Sequence, residues 1–376
     1  MGTTAEKLVY LGQTKADIRN AIIAKGVTVP TDTTFRNYAT KISEIETNQK
    51  LVDYAARVNN DGGNIENTPL LTPFIKTLTT EKLALLPSGK KVGKLYSQLP
   101  ISGDSDATVV RNGTATYKDA NGIIQTAQAN VARIEDGALL LEPQTTNLTL
   151  YSEDFSKASW AKEQGATISL NTELSPTGSL NASYLNAPDG VNIYPRITYT
   201  FSSTESQTYT LSIFVKKYNI NYIRMLSTGA TASTLEAWYN VANGTLGTSG
   251  APSKAKIEDY GNEWYRLSLI VNATLTASAT FRIQLSKGDG NVINNFNLSE
   301  KNIIWGAQVE LGSIATSYIP TLASTVTRVA DVITIPIPIG TTSIIETINE
   351  VDQTPITTFG ATHTVSNGKI NKVIML

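Results

Sequence analysis

Between residues 145 and 325 the chain is written in short runs where apolar and polar side chains alternate. That period of two marks strands with one buried face. Residues 209–217, 221–226, 235–241, 264–271 and 281–286 are clear examples. Turn signals separate such runs: Pro188-Asp189-Gly190, Asn243-Gly244 and Gly288-Asp289-Gly290-Asn291. No helix-period stretch interrupts them, so the pattern predicts a mainly β, antiparallel sandwich of about eight to ten strands rather than a parallel βαβ sheet. Residues 147–160 (NLTLYSEDFSKASW) open this run and residues 303–320 (IIWGAQVELGSIATSYIP) close it. The two stretches are expected to lie side by side as the first and last strands.

Outside that run the periods change. Leu8, Leu11, Ile18 and Ile22 fall on helical spacing, and Phe35, Tyr38, Ile42 and Ile45 repeat it. Gly26 and Pro30 separate the two, and residues 31–34 offer N-caps. So short a helical piece cannot bury its own stripe. It can dock on the downstream domain, self-associate as a dimer or trimer, or sit in a socket on another protein. The division expected is a helical anchor or oligomerisation segment (1–46), a linker with short helices (47–104), a β-hairpin extension (105–144), the sandwich (145–325) and a small C-terminal β element (326–376). The hairpin is read from two alternating runs joined at Asp119-Ala120-Asn121-Gly122. The C-terminal element is expected to pair with neighbouring subunits.

Composition narrows the function. The 376 residues carry a net charge of −1 with no basic block, which argues against nucleic acid and anionic membrane as partners. The absence of cysteine excludes disulfides, thiolate metal sites and cysteine nucleophiles. No signal-peptide pattern and no apolar run of spanning length is seen, so synthesis in a host cytoplasm is expected.

Residues 147–160 resemble the opening of a jelly-roll, carbohydrate-binding-like (concanavalin-like) module of bacteriophage fibres and virion surface proteins. ARIEDGALLLEPQTTNL from Ala132, FVKK at Phe214, AKIEDYGNEWYRLSLIV at Ala255 and IIWGAQVELGSIATSYIPTLASTVTRVADV from Ile303 resemble it in the same order. The N-terminal KADIRNAIIAKGVTVPTDTTFRNYATKI is similar to the helical opening of phage tail and fibre proteins. The hairpin and the terminal KVIML resemble fibre proteins of crAss-like phages of gut bacteria. The resemblance implies a virion fibre component, on head, tail or baseplate, that joins other virion proteins through its N-terminal helices and assembles as a homotrimer.

Catalytic chemistry finds little to work with, and no cofactor is expected. The single histidine, His363, is read as a surface or trimer-contact residue. Carboxylates at Glu135-Asp136, Glu153-Asp154, Glu258-Asp259 and Glu310 leave a polysaccharide depolymerase as a lesser alternative. Asp154 and Glu310, one in each bracketing stretch, are weak calcium candidates. Strand phase makes a binding face concrete. Leu235, Ala237, Tyr239 and Val241 point inward, leaving Glu236, Trp238 and Asn240 outside. The same alternation turns Trp264 and Arg266, and then Arg282 and Gln284, outward. The expected glycan-binding set is Trp238, Glu236, Arg266, Arg282 and Gln284, on a non-enzymatic protein that adheres to host-surface glycan. The rival is a purely structural head-fibre, decoration, tail or baseplate protein.

Overall fold

The computed structural model describes residues 4–23, 29–31, 33–34, 37–38, 82–91, 94–97 and 106–376. These fall into two compact units, one of Val110–Asp136 and Leu140–Val332, the other of Met1–Val109, Gly137–Leu139 and Ile333–Leu376.

The larger unit is a sandwich of β1 (Trp160–Glu163), β2 (Thr167–Leu174), β3 (Leu180–Asn186), β4 (Arg196–Ser203), β5 (Thr208–Lys216), β6 (Tyr222–Thr228), β7 (Leu235–Asn240), β8 (Thr245–Ser249), β9 (Ala255–Gly261), β10 (Trp264–Asn272), β11 (Ala277–Ser286) and β12 (Lys301–Leu311). One six-stranded sheet runs β8-β7-β6-β11-β4-β1, the other β2-β3-β12-β5-β10-β9. Neighbouring strands are antiparallel throughout. The chain changes sheet after β1, β3, β4, β5, β8, β10 and β11, which is the crossing pattern of a jelly roll.

The alternation read from sequence decides what lies between the sheets. Leu211, Ile213 and Val215 of β5 and Leu267 and Leu269 of β10 are fully buried in one cluster with Ile223, Met225, Tyr239, Phe281 and Ile283 of the opposite sheet. Each such side chain contributes about 1.5–3 kcal/mol on leaving water. A second apolar layer covers the outer face of the β2-to-β9 sheet, where Phe214, Trp264 and Trp305 pack with Tyr318 and Ile124. Tyr318 comes from the segment after β12. Ile124 comes from the hairpin Ala115–Lys118/Ile124–Ala127. Gly122 turns that hairpin at φ +77°, and a Cβ there would stand 2.7 Å from the Tyr260 carbonyl oxygen.

The bracketing stretches do lie side by side. Leu148 N donates to Val309 O at 2.7 Å, and Ala307 N to Ser152 O at 2.9 Å. The opening bracket is not a continuous strand, however. Thr145–Asn147 pairs with Val326–Arg328, and regular pairing resumes only at β1. Val326–Arg328 therefore belongs with the sandwich rather than with a separate C-terminal element.

A buried ionic network closes this end. Asp331 accepts from Arg111 Nη1 at 2.7 Å and bonds Arg133, while Arg133 also reaches Glu142 at 2.9 Å and Arg328 lies 3.4 Å from Glu142. Ser317 N and Oγ donate to Glu142 at 2.7 and 2.6 Å.

In the smaller unit, α1 spans Thr4–Ile23, and Ile18 and Ile22 pack with Val29 and Tyr38. The side chains of Leu8 and Leu11, together with Phe35, Ile42 and Ile45, lie outside the described residues. The expected linker of short helices is corrected where it is described. Leu83–Lys91 and Lys94–Ser97 are strands, and Leu83–Leu85 pairs with the C-terminal strand Gly368–Met375. That strand, which was expected to seek a neighbouring subunit, is thus flanked within its own chain, with Ile344–Ile348 on its other side. His363 is also corrected. It is buried, with Nε2 2.8 Å from Glu346 Oε1, because the strand Thr362–Thr364 turns it inward. Among the described residues no helix is long and apolar enough to cross a membrane.

Two outcomes follow from the ionic network. Asp331→Ala strands the buried Arg111 and takes one of the two carboxylates of Arg133, and should cost about 3–5 kcal/mol by urea unfolding at neutral pH; a loss below about 1 kcal/mol would mean the network is screened by water. Burial alone would raise the Glu142 carboxyl, but the Arg328 and Arg133 guanidiniums and the Ser317 hydrogen bonds hold it below its ordinary 4.5. Its folded value is depressed, so its stabilisation is present above pH 4.5 and disappears as pH falls through the folded value. The unfolding midpoint should drop through that acid window, and Glu142→Gln should flatten the drop.

Candidate functional site

The outer face of the β8-to-β1 sheet carries rows of polar side chains set by register. Trp238, Arg224, Gln284, Arg196 and Glu163 stand directly opposite one another on β7, β6, β11, β4 and β1. The adjacent row is Glu236, Leu226, Arg282, Thr198 and Ala161. At about 4.8 Å per strand, a row across five strands is about 19 Å long.

The row has a closed end and an open end. At the closed end Trp238 is only 3% exposed. The Arg224 guanidinium lies 4.9 Å from its ring centroid, and its Nε1 donates to Asn291 O at 3.3 Å. Gln284 is buried, with Nε2 donating to Val292 O at 2.7 Å and Oε1 accepting from Arg224 Nη1 at 3.0 Å. The loop of residues 287–294 thus folds over both side chains. Asp289 fastens it to β8 by accepting from Thr248 N at 2.7 Å.

At the open end the side chains are half-buried. Glu163 accepts from Arg196 Nε at 2.6 Å, and the Arg196 guanidinium stacks 5.0 Å from the Tyr194 ring centroid. Glu236, on the Trp238 strand at the closed end, is paired to Arg224, which donates from Nε at 2.9 Å. Among the described residues, Arg282 makes no hydrogen bond or ion pair, and its Nε is buried without a partner. Burial first, then the neighbouring Arg196 and Arg224 guanidiniums, lower its pKa, with Glu163 opposing them. Three guanidiniums on this face meet two carboxylates. The uncompensated positive charge sits at Arg282, where a planar anion would find fork-shaped donors.

The sequence-derived set is therefore split. Glu236, Trp238, Arg282 and Gln284 share this face. Arg266 does not, because β10 belongs to the other sheet. There Arg266 is buried, donating to Thr316 O at 2.6 Å and Ser212 Oγ at 3.0 Å beneath the second apolar layer. Trp238 faces outward in phase but is packed, so it is no exposed platform for a sugar. Sequence reasoning singled out Tyr194 as a loop aromatic without a phase argument, and missed Arg196 and Arg224. The alternation of Tyr222, Arg224 and Leu226 against Ile223 and Met225 carried the signal for Arg224.

The calcium candidates are also corrected. Glu310 is buried and accepts from Gln308 Nε2 at 2.8 Å and from Thr316 N and Oγ1 at 2.9 and 2.6 Å. Asp154 accepts from Ser156 N and Oγ and lies 3.3 Å from Lys157 Nζ. Among the described residues, no group of three or more His, Cys, Asp or Glu is placed to hold a metal ion.

No family model and no curated protein matches the chain. Solved structures similar to part of it include the bacteriophage CBA120 tailspike protein 4 enzymatically active domain, at 14% identity and TM-score 0.29 over 44% of this chain and 21% of that one. TmCBM61, in complex with beta-1,4-galactotriose, is similar at 8% identity and TM-score 0.28 over 43% of this chain and 97% of that one. TmCBM27, a carbohydrate-binding module for specific mannan recognition, is similar at 13% identity and TM-score 0.26 over 46% and 98%. The chain spans about a fifth of the tailspike domain. The strand order above, and not these likenesses, defines the fold.

The two ends of the row should respond differently to truncation. Trp238→Ala removes a packed ring and should cost about 3–5 kcal/mol in a urea titration. Arg282→Ala, which removes an unpaired cation between two others, should change stability by less than about 1 kcal/mol. Equal costs would contradict the open and closed ends described.

Proposed function

We propose that this chain is a non-enzymatic surface-fibre protein of a tailed bacteriophage virion. Its N-terminal helix joins other virion proteins, the chains assemble as a homotrimer, and the sandwich adheres to host-surface glycan bearing acidic groups. The fibre role rests on the sequence resemblance. The adhesion role rests on one observation, the unpartnered Arg282 between Arg196 and Arg224 at the open end of a long polar row. A carboxylate or sulfate on a sugar can take two parallel hydrogen bonds from a guanidinium, and Tyr194 beside Arg196 offers an aromatic edge for a sugar ring. No catalytic step is assigned. His363 is spent on Glu346, and the Glu153 oxygens already accept from Tyr318 and Asn181.

The rival reading, a structural head-fibre, decoration, tail or baseplate protein without glycan affinity, is favoured by the loop that already occupies Trp238 and Gln284. A glycan array containing acidic and neutral polysaccharides, probed with the full chain, separates the two. Hydrogen bonds to charged groups contribute about 1.5–3 kcal/mol, so Arg282→Ala should weaken acidic-glycan binding by about tenfold or more. No acidic glycan bound, or binding indifferent to Arg282→Ala, favours the structural reading. Release of reducing ends from host capsule during prolonged incubation would instead show a depolymerase.

A further inference from the structure

A second concavity lies on the other sheet, where the opening segment, the strands β2 and β3 and the segment after β12 meet. It is an open cavity of about 620 Å³, within the range of ligand pockets. We propose that it is a separate saccharide site, taking an uncharged pyranose unit whose C–H face lies on its apolar wall and whose hydroxyls donate to its polar wall.

The apolar wall is Leu170, Leu322 and Val326, with Pro320 beside them. Leu322 is 76% exposed, and Leu170 and Val326 are exposed as well. Side chains of this kind, brought together in a concavity, mark a place where something apolar is received. The rest of the lining is polar, with Tyr151, Glu153, Asp154, Asn171 and Asn181. An aromatic ring, carboxylates and amides beside branched aliphatics match the two chemistries of a sugar ring.

Backbone strain adds an independent observation. Tyr151 has φ 50°. A left-handed conformation is uncommon for a residue with a Cβ and an outlier for a bulky one. Strained residues gather where a ligand is held, and the inference runs from the observed outlier to that role. Tyr151 is kept there by its N–H, which donates to Leu322 O at 2.7 Å, so the ring and the apolar wall are linked through one hydrogen bond. Lys157 Nζ lies 5.5 Å from the Tyr151 ring centroid and 3.3 Å from Asp154.

The polar wall is also arranged to accept. Glu153 lines the cavity as well, its carboxyl raised by burial and only partly brought back by hydrogen bonds from Tyr318 and Asn181. Asn181 Nδ2 donates to Glu153 at 2.8 Å, which fixes the amide and leaves its Oδ1 without a protein partner. Asp154 and Glu153 make the site unfavourable for an anion, and Lys157 opposes a second cation. An uncharged, hydroxyl-rich ring remains. This ligand class differs from that of the arginine row, so the two sites stand or fall separately.

The test uses saturation-transfer NMR and calorimetry on the full chain, with uncharged oligosaccharides of glucose, galactose, mannose and xylose. Tyr151→Gly removes the ring while supplying the residue that adopts this backbone freely. Leu322→Lys places a charge at an exposed position of the wall. Binding of at least one uncharged oligosaccharide, weakened about tenfold or more by each variant and unchanged in Arg282→Ala, is the expected result, with thermal unfolding confirming that Tyr151→Gly is folded. The proposal is overturned if no uncharged sugar binds. It is equally overturned if binding survives both cavity variants, or if only Arg282→Ala removes it. Acidic-glycan binding is measured on the unsubstituted chain and both cavity variants alongside, and its presence there separates failure of this site from failure of the adhesion reading.

Discussion

The side chain of Asn147 holds the sandwich closed. It is buried, and its Nδ2 donates to Ala307 O at 3.2 Å and to Ile319 O at 2.8 Å. Its Oδ1 accepts from Thr149 N, Thr149 Oγ1 and Val309 N. One amide thus ties the start of the sandwich to its last strand and to the segment beyond. The partners exist because β12 breaks its ladder with β5 between Ser212 and Phe214. Gly306 sits in that irregularity at φ 62°, and a Cβ there would stand 3.1 Å from Phe214 and 3.2 Å from Tyr318. A bulge frees backbone groups that the neighbouring strand would otherwise occupy. Asn147 and Thr149 meet the freed Ala307 carbonyl oxygen. Without them it would be a buried acceptor with no partner, which costs about as much as a lost hydrogen bond.

Much of what made the sequence resemble a known module proves to be closure chemistry. Arg133 and Glu142 lie in the stretch before the opening bracket, Arg328 and Asp331 in the stretch after the closing one. Far apart in sequence, they meet in one buried network. Trp264 and Trp305 pack with Phe214 and Tyr318 in the second apolar layer. These residues satisfy buried charge and cover a sheet, and they say little about a ligand. A buried ion pair specifies geometry more than it stabilises, and removing one member leaves the other stranded. Their recurrence in order along the chain therefore locates the fold's closure and leaves function to be argued from the open surfaces.

Strand phase was legible because a period of two needs only the buried face to be apolar. The inward turn of Leu267, Leu269, Phe281 and Ile283 follows directly from it. Sheet membership was not legible, since alternation is the same on either sheet. Arg266 and Arg282 share a phase argument and end on different sheets, one sealed under Thr316 and the other half-open. Burial of Trp238 depends on where the loop of residues 287–294 folds, and its Gly-Asp-Gly-Asn run announces a turn without saying what lies beneath it. Leu83–Lys91 was hidden for another reason. Pro87 reads as a breaker, yet it falls where the register with Lys94–Ser97 shifts between Leu85 and Lys90, a place where a strand tolerates it.

The two outer faces of the sandwich explain why one is covered and the other is left open. On the β2-to-β9 sheet the outward positions of β5, β10 and β12 include Phe214, Trp264 and Trp305, which cannot remain in water at acceptable cost. The hairpin and the segment after β12 lie over them, and that covering segment also forms one wall of the cavity. On the β8-to-β1 sheet the outward positions are mostly charged or polar, so nothing drives a long segment to cover them beyond the one loop at Trp238. Arg196 and Arg282 thus stay partly accessible for the same physical reason that the other face is sealed. The cavity arises at the margin of the sealed face, where the covering segment ends with Leu322 still facing solvent. Recognition surfaces on this fold are therefore to be sought on the open polar face and at the rim of the cover, and not among the aromatic residues that the motifs make most conspicuous.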